Sequence, residues 1–275
     1  MKSKGVCVNV MGEKGVALPQ APPSPSSSSD QAIESSCLAS GRRGDVGSLE
    51  WRGIRAEDRR EIEALHVECF PVRYSASFYD KAVQNKHLTQ PGRTLYSLLA
   101  VENSSSSSSS QPSQTPQTPQ TSINQSIQPS HRIAGAIISQ FQDTRSYNDD
   151  LKILADGEAY AFLAYILTLA TTEDYRRQGL ASRLLHSCLS NARRNPRCGA
   201  VYLHVITYNE AAIKFYEKHN FVRVRELQDY YSIDNVNYNA YLYVFYVNGA
   251  QQYRDTVFDS IDNVICRVAR WLGLL

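Results

Sequence analysis

The stretch from Phe162 to Thr207 limits what this chain can fold into more than any other part of it. Phe162 to Ala170 is a continuous apolar run, the pattern of a strand covered on both faces. After Arg176-Arg177-Gln178-Gly179-Leu180-Ala181-Ser182, the segment Leu180 to Ala192 sets Leu184, Leu185, Cys188 and Leu189 on one face of a helix. Val201 to Thr207, β-branched and aromatic, closes the unit as a second strand. Strand, helix and strand in this order pack as a right-handed crossover with parallel strands, which predicts an α/β fold. The turn ahead of the helix places a glycine, small residues and two arginines beside unpaired backbone amides. Those amides and the helix macrodipole hold phosphate oxygens, so a pyrophosphate is the natural ligand. Taken alone, R-x-x-G-x-A also describes a charged turn before an ordinary amphipathic helix.

The surrounding pattern predicts a helix over Ala56 to Cys69, with apolar Ile62, Leu65 and Val67, ending before Pro71. A second short helix is expected over Phe78 to Asn85 and another over Glu210 to His219, with strands at 95–101, 132–141, Phe221 to Leu227 and Tyr238 to Val247. Residues 1–48 are rich in Ser, Pro and Gly and cannot bury enough surface to offset their ordering entropy, so a disordered tail is expected. A second tract, 103–130, holds the run Ser104 to Ser110 and Thr-Pro-Gln repeats. Lying between two strand-like runs, it reads as an expanded hairpin loop, because closure entropy grows only logarithmically with length. What remains has the size of one domain, 49–249, followed by 250–275.

Beyond the second strand comes Asn209-Glu210-Ala211-Ala212-Ile213-Lys214-Phe215-Tyr216-Glu217-Lys218-His219-Asn220-Phe221. With the turn at 176–182, this segment resembles the GNAT acetyltransferases. In that family an Arg/Gln-x-x-Gly-x-Gly/Ala turn cradles the pyrophosphate of acetyl-CoA, and an Asn followed by Ala and Phe-Tyr forms the other half of the cofactor site. Ala181 stands at the last position of the turn, an alternative the family accepts. Ala164-Tyr165-Ile166-Leu167-Thr168-Leu169, Tyr202-Leu203-His204-Val205, Phe70-Pro71-Val72-Arg73-Tyr74 and Tyr230-Tyr231-Ser232-Ile233 are similar to the NatF-type N-terminal acetyltransferases. The likeness runs over about 49–249; the insert at 103–130 departs from the family pattern, and 143–158 does not align with it.

The resemblance implies the GNAT acyl-CoA acyltransferase fold with a mixed central sheet. It also implies acetyl transfer from acetyl-CoA to the α-amine of proteins that begin with Met plus a hydrophobic or amphipathic residue. Tyr165 and His204 take the catalytic-base positions. Phe70, Pro71, Tyr74, Leu167, Tyr230 and Tyr231 match substrate-contacting ones. Leu169, Ala170, Thr171, Arg177, Gln178, Gly179, Leu180, Ala181, Ser182, Asn209, Tyr216, Glu217, Lys218 and His219 match cofactor-binding ones. By pattern alone His204 is a core histidine, and Tyr165 alternates with Leu167 and Leu169 on one strand face as packing. Likewise Tyr230 and Tyr231 are strand-end aromatics and Phe70-Pro71 ends a helix. The chemistry agrees with the resemblance: an α-amine of pKa about 8 needs far less help losing its proton than a lysine at about 10.4. A neutral His or Tyr relaying a proton through water suffices, and a backbone N–H near Leu167 to Leu169 would stabilise the developing oxyanion. A lysine or small-amine acetyltransferase, or a catalytically silent acetyl-CoA-binding adaptor, stays open on the same residues.

Composition excludes other classes. With 42% apolar residues and a net charge of +2 the chain is no strongly basic nucleic-acid binder. The six cysteines form no CxxC pair, and no histidine has a metal-ligand spacing with Cys, Asp or Glu, so reduced thiols and no metal are expected. The longest apolar-rich run, Ala159 to Ala170, is too short to span a bilayer. The N-terminus lacks a signal-peptide apolar region, and a cytosolic chain is expected. From Tyr253 to Leu275, Val257, Phe258, Ile261, Val264, Ile265, Val268, Trp271, Leu272 and Leu275 recur at helical spacing, predicting an amphipathic helix. Its Trp271 and terminal leucines suit a bilayer interface; the alternative is a helix docked on the core. The resemblance to the NatF-type enzymes implies peripheral attachment to the cytosolic face of a membrane, Golgi or plasma membrane, through this helix, with plain cytoplasm as the alternative.

Overall fold

The computed structural model describes residues 8–9, 44–103, 131–146, 153–155 and 157–252. Its elements are β1 (Val8–Asn9), β2 (Glu50–Arg52), α1 (Arg59–Cys69), α2 (Ala76–Val83), β3 (Leu95–Asn103), β4 (His131–Asp143), β5 (Phe162–Thr171), α3 (Leu180–Arg193), β6 (Cys198–Ile206), α4 (Glu210–Lys218), β7 (Val222–Ile233) and β8 (Val236–Tyr246). The sheet runs β2-β3-β4-β5-β6-β8-β7, with β1 added on β5. β5 and β6 are parallel, joined through α3 as the crossover pattern requires, and every other neighbouring pair is antiparallel. The sheet is therefore mixed, and the chain has the GNAT fold.

Each helix is set by local chemistry. Ser75 caps α2 by accepting from the Phe78 N–H, and Asn209 caps α4 by accepting from the Ala212 N–H. α3 buries Leu180, Leu184, Leu185, Cys188, Leu189 and Ala192, a stripe at i, i+4, i+5 spacing against the sheet. On α1 the buried face is Ile62, Leu65, His66 and Cys69, whereas Val67 is exposed. The apolar-only count thus mistook one residue of the stripe, because spacing, not hydrophobicity, decides which side chain points inward.

β3 and β4 pair in antiparallel register down to Asn103 opposite His131, so the tract 104–130 closes a hairpin; its residues lie outside those described. Two edges of the domain shift relative to the sequence reading. Residues 44–48 already belong to the fold, with the Gly44 N–H donating to the Asp174 carbonyl and Val46 packed on the core. At the other end the Ala155 N–H donates to the Gln251 carbonyl, and Gln252 bridges Leu154. The core therefore continues to 252, and the predicted C-terminal helix, from 253, lies outside the described residues. Leu154, within the unaligned segment 143–158, and Tyr160 just beyond it pack where a side chain on Gly199 would stand; that glycine is what admits them. β7 and β8 are longer than predicted and meet at Asp234-Asn235, both with positive φ, the signature of a two-residue hairpin turn.

Candidate active site

Strands β5 and β6 pair only from Phe162–Cys198 to Tyr165–Tyr202, although β5 runs on to Thr171 and β6 to Ile206. Beyond that point they part, and the parting opens the site. On the other side of β5, Gln140 lies opposite Tyr165 and Ile138 opposite Thr168, so one residue has been inserted between them. The bulge reverses the alternation. Tyr165 shares its face with Thr168, and Leu169 lies on the other, so Tyr165, Leu167 and Leu169 do not form the single face that their spacing predicted.

Tyr165 and His204, buried on neighbouring strands, come together at the parting. The Tyr165 hydroxyl lies 3.1 Å from His204 Nδ1, and the Tyr165 ring stacks on Tyr202 with centroids 4.5 Å apart. Tyr230, from β7, stacks on the imidazole at 4.4 Å and brings its own hydroxyl to 2.9 Å from the same nitrogen. The Tyr231 hydroxyl donates to the His204 carbonyl at 3.4 Å. Burial holds the imidazole neutral, pushing its pKa down to about 3, and Nε2 has no hydrogen-bond partner among the described residues. Burial also drives the Tyr231 phenol well above its ordinary range. A neutral imidazole ringed by phenols is equipped to pass protons and carries no standing charge.

Phe70 ends α1 and packs on Tyr74 with centroids 5.8 Å apart, and the loop between them brings Val72 against the cluster of Tyr231, Ile206 and Tyr230. Leu167 is the bulged residue of β5, fully buried. Beside Phe70 and Tyr74 lies His66, which sequence reasoning missed. It is buried without a hydrogen-bond partner among the rings of Phe70, Tyr74, Phe78 and Tyr79, each 5.1 to 5.8 Å away. Its i+4 spacing from Ile62 was the available signal. Thr168, another buried hydroxyl without a partner, had none, because its position depends on the bulge.

The predicted cofactor residues gather at the far end of the parting. Gly179 caps α3 at φ +82, and a Cβ placed there would meet nothing within 4 Å, so the turn opens on clear space beside the amides of Leu180, Ala181 and Ser182. Those amides fit an anion. Gln178 spends its side-chain amide on the Asp174 carbonyl at 2.6 Å, shaping the turn, while Arg177 is exposed at its surface. Across from the turn, His219 places Nε2 3.0 Å from Ser182 Oγ and Nδ1 2.7 Å from the Phe215 carbonyl. Tyr216 is buried against Phe215 and Phe221. Glu217 accepts from the Tyr243 hydroxyl at 2.8 Å, Lys218 is exposed, and Asn209 serves as the cap of α4. Leu169 to Thr171 form the end of β5, and there Val8 of β1 pairs with Leu169 and Asn9 with Thr168. Among the described residues no group of three or more His, Cys, Asp or Glu is placed to hold a metal ion, and no helix is long and apolar enough to cross a membrane.

Residues 125–221 match the Acetyltransferase (GNAT) family. The chain is 31% identical to N-alpha-acetyltransferase 60 of Xenopus tropicalis over 70% of its own length and 67% of the relative's. It is 29% identical to histone acetyltransferase MCC1 of Arabidopsis thaliana over 74% of itself and 72% of that protein. A crystal structure of Arabidopsis thaliana NAA60 in complex with a bisubstrate analogue superposes with a TM-score of 0.57 at 28% identity, covering 73% of this chain and 99% of that one. The same enzyme in complex with acetyl-CoA superposes with the same TM-score, over the same shares of both chains, at 27% identity.

Proposed function

Since this chain belongs to the GNAT acetyltransferase family and is an N-terminal acetyltransferase, we infer that its substrates are α-amines of proteins beginning with Met followed by a hydrophobic or amphipathic residue. Acetyl-CoA is the donor, supplying when bound an acetyl group already activated as a thioester. The α3 turn with Gly179 at its head and the amides of Leu180 to Ser182 would hold its pyrophosphate. The observation that carries this reading is the meeting of Tyr165, His204 and Tyr230 where β5 and β6 part. Tyr231 joins it through its hydroxyl on the His204 carbonyl.

A resting neutral imidazole suits an α-amine, a large fraction of which is already unprotonated near neutral pH, better than a lysine. Acetylation of otherwise identical peptides with free and with blocked N-termini tests the assignment. Turnover of the free series alone supports it, and turnover of internal lysines on blocked peptides overturns it. The lysine reading has one observation in its favour, the 29% identity to a protein named as a histone acetyltransferase.

The membrane context rests on the apolar stripe of 253–275, which gives a NatF-type enzyme on the cytosolic face of a membrane, acting on N-termini presented there. Three acids and three arginines on this segment cancel, so attachment would depend on insertion more than on anionic lipid. Co-sedimentation of the full chain with neutral liposomes, lost on truncation after Gln252 while activity on peptides persists, supports attachment. A full chain that never sediments overturns it.

A further inference from the structure

His204 Nδ1 has two phenolic partners and one position to offer them. The Tyr230 hydroxyl stands 2.9 Å from it and the Tyr165 hydroxyl 3.1 Å. A neutral imidazole carries at Nδ1 either one proton or one lone pair, so the two hydroxyls compete for a single hydrogen bond. They reach it from different elements: Tyr165 from β5, inside the parting, and Tyr230 from β7, on the wall with Tyr231 and Val72. Tyr230 also holds the ring by stacking at 4.4 Å, while Tyr165 meets it edge-on with centroids 5.6 Å apart.

We propose that Tyr230 is a second proton-relay residue, an alternative to Tyr165 as the group that connects the reacting amine with His204. This rests on the acetyltransferase reading above and goes beyond a peptide-contacting role for Tyr230. As the amine nitrogen bonds to the acetyl carbon, the carbon–sulfur bond breaks and its electron pair leaves on sulfur. The surplus N–H proton passes to one tyrosine oxygen while that tyrosine's own proton passes to His204 Nδ1. The imidazolium holds it only transiently, since the site is buried, and returns it to the departing thiolate.

The test is a set of steady-state kinetics on Tyr165→Phe, Tyr230→Phe, the double Phe variant and His204→Leu, with His204→Leu also combined with Tyr230→Phe. Each single Phe variant is expected to lose about tenfold in kcat with peptide KM within twofold. The double variant should fall to the level of His204→Leu, about 100-fold or more below wild type. Tyr230→Phe should cost nothing further in the His204→Leu background, because it acts through that nitrogen. If Tyr165→Phe alone already reaches the His204→Leu level, or if Tyr230→Phe raises KM by the same factor in both backgrounds with kcat untouched, Tyr230 is a peptide contact and the proposal fails. A second readout does not depend on turnover. The ¹⁵N resonance of His204 Nδ1 should move in Tyr230→Phe as well as in Tyr165→Phe, and an unmoved resonance in Tyr230→Phe overturns the relay. Absence of acetylation by the wild-type enzyme would instead count against the function itself, and the resonance would still report on the hydrogen bond.

Discussion

His219 Nε2 lies 3.0 Å from Ser182 Oγ, tying the end of α4 to the first turn of α3, the two elements proposed to hold acetyl-CoA. Both ring nitrogens of His219 are engaged within the fold, the other with the Phe215 carbonyl. On the proposed site its part would thus be to position Ser182 and the turn amides. Replacing it with Leu removes a hydrogen bond worth about 1 kcal/mol. The acetyl-CoA dissociation constant should rise roughly fivefold with kcat unchanged, as titration calorimetry and kinetics will show. An effect on kcat alone would contradict a positioning role.

Gly179 has φ +82 and clear space where a Cβ would project. Two costs can therefore be separated by substitution. Gly179→Asn tolerates the left-handed conformation yet puts atoms where phosphate oxygens would approach. It should keep its melting temperature close to wild type and bind acetyl-CoA more weakly. Gly179→Val should lose both, with a destabilisation of about 1–2 kcal/mol from the backbone. Unaltered acetyl-CoA affinity in the Asn variant would remove the pyrophosphate from this turn.

Val8 and Asn9 pair with Leu169 and Thr168 and lie against β6 as well, on the edge of β5 that the resemblance assigns to acetyl-CoA. Removing residues 1–12 should therefore uncover that edge and lower the KM for acetyl-CoA, leaving kcat at saturation unchanged. A peptide of residues 1–12 added to the truncated enzyme should compete with acetyl-CoA. No change in KM would show that the two do not share the edge.

His66 and His204 are both buried with pKa values pushed down to about 3. Between that value and about 6.5 the unfolded chain binds protons that the folded chain refuses, so stability falls as pH falls through this window. With two such groups the slope approaches about 3 kcal/mol per pH unit. Urea unfolding followed from pH 7 to pH 5 should show it, and His66→Leu should halve the slope. A flat profile would mean that one of these rings takes up its proton in the folded state.

The central unit was legible from the chain alone. A strand buried on both faces can only be a continuous apolar run, and the amphipathic helix behind Gly179 can only be followed by a parallel strand, so Phe162 to Thr207 dictated the α/β class and the anion-binding turn. Asp234-Asn235 is likewise a turn-forming pair in the sequence, and β7 and β8 extend right up to it. What local pattern could not reach depends on residues distant in sequence. The bulge that sets Thr168 beside Tyr165 and turns Leu169 away exists only through pairing with β4. The nitrogen shared by Tyr165 and Tyr230 requires side chains from β5, β6 and β7, the last two separated by β8, to meet at one point. The bridge from His219 to Ser182 spans two helices. Composition and periodicity report which face a side chain occupies in its own element, whereas a proton relay depends on distances between elements, and those are decided when the sheet closes around the parted strands.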